Sequence, residues 1–330
     1  MSREAGLGSP VAVIPDDAAA LLALLETMWL VRAFEERVSE LHAKGELGGL
    51  LHLGIGQEAV AAGACSVLRR DDLVYGSHRA HAHALAKGAD PTRLLAELAG
   101  RATGYCRGKG GTMHISAPDV GFMTATGVVA GNIPLALGAA TVCRLRGAVS
   151  VAFFGDGAAQ TGPFHESLNL ASLWRLPVVL VCENNGFAEF TPLAAHTPVE
   201  RLASHAETYG IPTLTVDGND VLAVRDAMAE AVARARDDGG PTFVECLTQR
   251  FRGHYEGDPG VYRDRAELED RAANDPIERF GRVLAERGVA VDGERIEEKA
   301  RGRVELAVAA ALAAPWPDRA EVAEQVYAGG

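Results

Sequence analysis

From Asp17 onward the apolar residues Leu21, Leu24, Leu25, Met28, Val31, Val38 and Leu41 recur at steps of three and four, the spacing of one face of a helix. Asp16 or Asp17 is the candidate N-cap and Gly45 the stop signal, because a short acid accepts the free N–H groups at a helix start and glycine tolerates the exit. A second helix is predicted from about Gln57 through Val67. Farther along the pattern changes. The runs 149–154 and 177–182 are apolar nearly throughout, the first ending at Gly155 and the second at Glu183-Asn184-Asn185. Leu214-Thr215-Val216 and 242–246 give two further strands, while residues 164–174 and the alanine-rich stretch 221–236 have helical spacing. Strands alternating with helices of this length predict βαβ units and a parallel sheet, and strands apolar throughout predict cover on both faces. The expected fold is therefore α/β: a doubly wound, mainly parallel sheet with helices on both faces. Residues 1–15 read as a loose tail and 16–287 as the α/β domain. Residues 288–330 read as a C-terminal extension with a charged helix over 294–312 and a Pro315-Trp316-Pro317 tail.

Charge and composition narrow the partners. A net charge of -12 over 330 residues argues against nucleic acid or an anionic membrane surface as the main partner, since both need a basic face. The cysteines Cys65, Cys106, Cys143, Cys182 and Cys246 are scattered without a C-x-x-C pair, which fits a reducing compartment. The start lacks a charged-then-apolar signal pattern, so a cytoplasmic location is expected. Residues 120–143 carry no charge, but Gly121, Gly127, Gly131, Asn132, Pro134 and Gly138 interrupt them. A glycine-rich turn leading into a buried helix is expected there rather than a membrane span.

The chemistry concentrates after the central strands. Gly155-Asp156-Gly157-Ala158 suits a tight strand-to-helix turn where backbone approaches a ligand, with free N–H groups beyond it for an anion. Asp156 cannot serve a bare phosphate, since both are negative; a divalent cation between them resolves the conflict. Asn185, 29 positions later (185 minus 156), offers a neutral oxygen as another ligand for that cation. Neighbouring parallel strands would bring both turns to one edge, which is where an open α/β sheet binds ligands.

Gly155-Asp156-Gly157 with Asn184-Asn185 resembles the magnesium–diphosphate motif of thiamine diphosphate enzymes. The segments Gly56-Gln57-Glu58-Ala59, 108–114, 164–171, 216–221 and Arg252-Gly253-His254 resemble alpha subunits of the decarboxylating first component of pyruvate, branched-chain 2-oxo acid and acetoin dehydrogenase complexes. The resemblance implies the thiamine diphosphate-binding fold, with Asp156, the side chain of Asn185 and the carbonyl of Phe187 around Mg²⁺. It further implies that the glycine turn, through the N–H groups of Gly157 and Ala158, and the Arg79 fork hold the diphosphate, with His78 beside it. Gly127 and Val129 would meet the aminopyrimidine through backbone carbonyls, His254 would be the active-site loop histidine, and His52 would line the substrate channel. His81 and His83 read as surface or packing histidines more readily than as substrate contacts, and Arg250 or Arg252 could pair with Asp258 or Asp264 rather than with ligand.

The same resemblance implies a reaction in which a C–C bond next to a carbonyl is cleaved and the acyl unit passes to lipoamide on a partner acyltransferase. It also implies a separate beta subunit supplying the pyrimidine-binding domain and the activating glutamate, in an α₂β₂ assembly. The stretches 78–83 and 253–258 look more like the acetoin branch, so acetoin or pyruvate is the expected substrate. A branched-chain 2-oxo acid enzyme, a secondary-metabolism relative making acyloins or loading a carrier protein, and a catalytically lost binding subunit remain the alternatives. Three departures from the family pattern stand out. Tyr255 occupies the place of the regulatory serine of mitochondrial pyruvate enzymes, Phe187 stands for a commoner Tyr, and Gln160-Thr161 replaces the usual Asn-Gln.

Overall fold

The computed structural model describes residues 17–263 and 273–323; the tail 1–15, Asp16, Asp264 and residues 324–330 lie outside them. Helix α1 (Ala18–Ala43) begins where expected, with the Asp17 carboxylate accepting from Ala20 N at 2.8 Å, and Gly45 follows it at φ +75°. Then come α2 (Glu58–Ser66), β1 (Leu73–Gly76), α3 (His81–Ala86), α4 (Pro91–Leu98), β2 (Phe122–Ala125), α5 (Asn132–Arg146) and β3 (Ser150–Gly155). The chain continues through α6 (Gly162–Leu173), β4 (Val178–Asn184), a small hairpin of β5 (Phe187–Ala188) and β6 (Thr191–Pro192), α7 (Leu193–His196) and α8 (Ala203–Glu207). It ends with β7 (Thr213–Asp217), α9 (Val221–Arg236), β8 (Thr242–Leu247), α10 (Pro276–Glu286), α11 (Gly293–Ala313) and a closing 3-10 turn.

The main sheet has six strands in the order β2-β1-β3-β4-β8-β7, and every pairing in it is parallel. Alternate side chains of the central strands face opposite layers. Val151, Phe153, Val179 and Val181 join the core built with α1, α2, α9 and α11. Ala152, Phe154, Leu180 and Cys182 join the core built with α5, α6 and α8. All seven residues of β4 are buried, which is why its sequence shows no alternation. Buried alanines and valines of α11 (Ala300, Val304, Ala307, Val308, Ala311) share the first of these cores, so the C-terminal helix helps cover the sheet.

The expectation of a buried helix after the glycine-rich turn needs correction. Only one face of α5, with Ile133, Ala136, Leu137 and Ala140, is buried. Its other face shows Leu135, Val142 and Leu145, the last 84% exposed, beside the exposed Leu170, Leu173 and Trp174 at the end of α6. An apolar surface spanning two adjacent helices is what a protein partner covers. Among the described residues no helix is long and apolar enough to cross a membrane.

Candidate active site

Strand order reverses between β1 and β3: the chain passes from β1 outward to β2, then back across to β3. The crevice at such a switch point, beyond the strands' C-terminal ends, is the ligand position of doubly wound sheets. A cavity of about 330 Å³ opens there. The exits of β1, β2, β3 and β4 deliver Ser77–Arg79, the 126–130 loop, Gly155–Ala158 and Asn185–Phe187 to it, and the chain beyond β8 delivers Arg250 and His254. Every candidate site residue lines this one cavity: His52, His78, Arg79, Gly127, Val129, Gly155, Asp156, Gly157, Ala158, Asn185, Phe187 and His254. His81 and His83 do not. His81 is buried between Glu35 and Thr112, and His83 bonds Glu183 and stacks on Phe153.

One end of the cavity is built for an anion. Arg79 is buried; one arm of its fork donates to the Leu53 carbonyl at 2.7 Å and the other to the His254 carbonyl at 2.6 Å. Arg79 and Arg250 both approach Nδ1 of His254, at 3.2 and 3.4 Å. A guanidinium can only donate, so that nitrogen is the acceptor and the ring proton sits on Nε2. Burial, then the charge of Arg79, pushes His254 down to about 3 and His52 down to about 4. His78 is held well below its ordinary value by the same causes, so all three imidazoles are neutral at pH 7. Burial and then Arg250 lower Arg79 to about 9, which still leaves it charged. Nitrogens of His52, His78 and His254 lie within 4.8 Å of one another, but two guanidiniums against the same cluster make it a poor cation site and a good anion site. Asp258 braces the loop, accepting from His254 N at 2.6 Å and from the Tyr262 hydroxyl at 2.7 Å, while Arg250 donates to that hydroxyl. Arg250 thus reaches Asp258 through Tyr262.

The cavity also holds a buried acid. Asp156, at the tip of β3, is buried, and its Oδ2 has no hydrogen-bond partner. Burial raises its pKa, against which the nearby His196 and the amides of Asp156 and Gly157 pull. Register pairs Gly155 with Glu183, so the exits of β3 and β4 stand side by side, and Asn185 and Phe187 line the cavity with Asp156. The Asn185 amide is oriented: its nitrogen donates to Gln57 Oε1 at 3.3 Å and its oxygen accepts from Phe187 N at 3.3 Å. A side chain on Gly157 would come within 2.8 Å of the Ala188 Cβ, so this turn requires glycine for close packing. Ala130 and Glu189, both lining the cavity, hold positive φ of 61° and 56°, strain of the kind concentrated at ligand sites. An orphaned buried carboxylate, an oriented amide and a cationic far end fit a metal-bound diphosphate.

Sequence reasoning gave no role to several residues here. Asn132 lines the cavity and donates to the carbonyls of Phe153, at 2.7 Å, and Tyr75, at 3.4 Å, tying β1 to β3 at the switch point. Gln57 lay in a recognised motif, yet only its approach to Asn185 reveals what it does. Of the departures from the family pattern, Thr161 caps α6 through Phe164 N; nothing in the structure explains Gln160.

Fold and cavity together define an α/β protein of the doubly wound class with its candidate ligand site at the switch point of a parallel sheet. The chain belongs to the dehydrogenase E1 component family, which it matches over residues 26–319. It is 43% identical over 307 residues to the alpha subunit of acetoin:2,6-dichlorophenolindophenol oxidoreductase of Bacillus subtilis, covering 92% of each chain. To the Cupriavidus necator protein of that name it is 41% identical over 321 residues, covering 96% of each. It is also 40% identical over 319 residues to the pyruvate dehydrogenase E1 component subunit alpha of Zymomonas mobilis, covering 95% of this chain and 90% of that one. Membership makes the chain an alpha subunit of a thiamine diphosphate-dependent oxidoreductase that works with a beta subunit.

Proposed function

We propose that this chain, joined to its beta subunit in an α₂β₂ heterotetramer in the cytoplasm, binds thiamine diphosphate through Mg²⁺, cleaves acetoin or pyruvate, and passes the acyl unit to the lipoamide of a partner acyltransferase. The observation that carries the reading is the unpartnered Asp156 Oδ2 in the same cavity as the Arg79–His254 cluster. A buried carboxylate oxygen without a hydrogen bond is costly, and Mg²⁺ shared with a diphosphate relieves it. Asp156, Asn185 Oδ1 and the Phe187 carbonyl are the ligands assigned to Mg²⁺. The N–H groups of Gly157 and Ala158, Gly155 as the turn's entry, His78 and the Arg79 fork are assigned to the diphosphate.

When bound, thiamine diphosphate supplies the carbon nucleophile and electron sink for C–C cleavage beside a carbonyl. The carbonyls of Gly127 and Val129 are assigned to orienting its aminopyrimidine. His254, with Nδ1 committed to the two guanidiniums, presents an Nε2–H to a substrate oxygen, and its depressed pKa keeps that ring neutral, a hydrogen-bond donor at that atom. His52, whose ring packs at 5.0 Å from that of His254, lines the substrate side. The exposed apolar faces of α5 and α6, and the exposed Val128 and Val129 at the cavity mouth, support a beta subunit that covers this side.

Two of the relatives named above carry acetoin in their names, which favours acetoin over pyruvate. The test is 2,6-dichlorophenolindophenol reduction by the chain co-expressed with its beta subunit, with acetoin, pyruvate and branched 2-oxo acids compared. Thiamine-dependent turnover led by acetoin is expected from the pair and none from the chain alone; full activity of the chain alone would refute the two-subunit site.

A further inference from the structure

Behind the metal-site carboxylate stands a histidine that no motif reached. His196 ends α7, and its Nε2 lies 3.6 Å from Asp156 Oδ2. Both ring nitrogens of His196 are buried without a hydrogen-bond partner, as is that carboxylate oxygen. A carboxylate oxygen only accepts and an imidazole N–H donates, so the two orphans are complementary. They need close only to about 3.2 Å to bond. Asp156 lines the cavity and His196 does not, which puts the imidazole on the side of the carboxylate away from a bound ligand. The placement is built in. Leu193 N donates to the Gly186 carbonyl at 2.8 Å and β5 pairs with β6, so the segment that delivers Asn185 and Phe187 also delivers His196.

We infer that His196 is a positioning residue: its ring N–H takes one lone pair of Asp156 Oδ2 and fixes the carboxylate plane, so that the other lone pair of that oxygen presents to the cation in one orientation. The inference rests on the metal–diphosphate reading above. Hydrogen-bonded partners of ligating carboxylates set metal affinity by about 10–100-fold. They act on the ligand rather than on the ion, so different divalent ions are affected alike.

The test uses the complex with its beta subunit, thiamine diphosphate in excess, and free Mn²⁺ followed by electron paramagnetic resonance, with Mg²⁺ as competitor. His196→Ala is expected to weaken Mn²⁺ uptake about 10–100-fold, His196→Gln, which keeps an N–H donor, to recover most of it, and the Mn²⁺/Mg²⁺ preference to stay constant. If Ala lowers the melting temperature of the metal-free complex, His196→Leu against His196→Gln makes the same comparison. Unchanged uptake in the Ala or Leu variant, or no advantage of Gln, overturns the inference. So does a shifted Mn²⁺/Mg²⁺ preference, which would make the imidazole a ligand itself. Failure of the unaltered complex to take up Mn²⁺ would instead remove the cofactor reading as a whole.

Discussion

At the basic end of the cavity, Arg79 and Arg250 both bond Nδ1 of His254 and Arg79 also bonds two backbone carbonyls, whereas at the acidic end the buried Asp156 Oδ2 accepts no hydrogen bond and has only His196 nearby, at 3.6 Å. The first end is held in place before any ligand arrives, with only Nε of Arg250, Nδ1 of His52 and Nε2 of His78 left without a partner. The second is left in deficit, and a ligand that brings its own cation relieves it. A diphosphate carried by a divalent ion answers both: its negative oxygens meet the guanidiniums and its metal meets the carboxylate.

Breaking the deficit should have the largest effect. Asp156→Ala, or the neutral Asp156→Asn, is expected to cost on the order of 10²–10³-fold in thiamine-dependent dye reduction by the complex, and activity near the unaltered level would detach this carboxylate from the cofactor. Arg79→Lys keeps the charge but loses the fork that spans Leu53 and His254. Its KM for thiamine diphosphate should rise by about 10-fold, since an ammonium cannot be held by both carbonyls at once and so is not fixed at the anion end. Between the ends, Asn132→Ala removes the side chain that ties β1 to β3 and should destabilise the complex by about 1–3 kcal/mol in denaturant titration.

The smallest expected effect concerns pH. His52 has a folded-state value of about 4 against an ordinary 6.5, so the unfolded chain takes up the proton more readily than the folded one. Stability is then whole above 6.5, drains as pH falls from 6.5 toward 4, and gains nothing at higher pH. His52→Asn should flatten that part of the melting temperature profile of the metal-free complex; an unchanged slope would mean that His52 is not buried as a neutral ring.

Much of the fold was legible because the central strands bury both faces: the apolar runs at 149–154 and 177–182 correspond to β3 and β4, and the stretch 221–236 to α9. The four-residue strands β1 and β2 were not, since so short a run shows no period, and β2 sits in the glycine-rich stretch that masked it. The cavity residues were legible where a motif ties them to a strand exit, as with Asp156 and Asn185. His78, His81 and His83 stand close together in sequence, but α3 begins at His81, and from there the rings turn inward to Glu35 and Glu183. Gln57 and His196 become meaningful only through partners 128 residues away, for Asn185, or 40 residues away (196 minus 156), for Asp156. No local pattern encodes such meetings.

The most direct test of the shared metal and diphosphate site is calorimetric titration of thiamine diphosphate into the complex with its beta subunit, with Mg²⁺ present and with Mg²⁺ removed by chelation. Binding should weaken at least about 100-fold without the metal, and Asp156→Asn should bind as weakly with Mg²⁺ as the unaltered complex does without it. Equal affinity in the presence and absence of the metal would contradict the account.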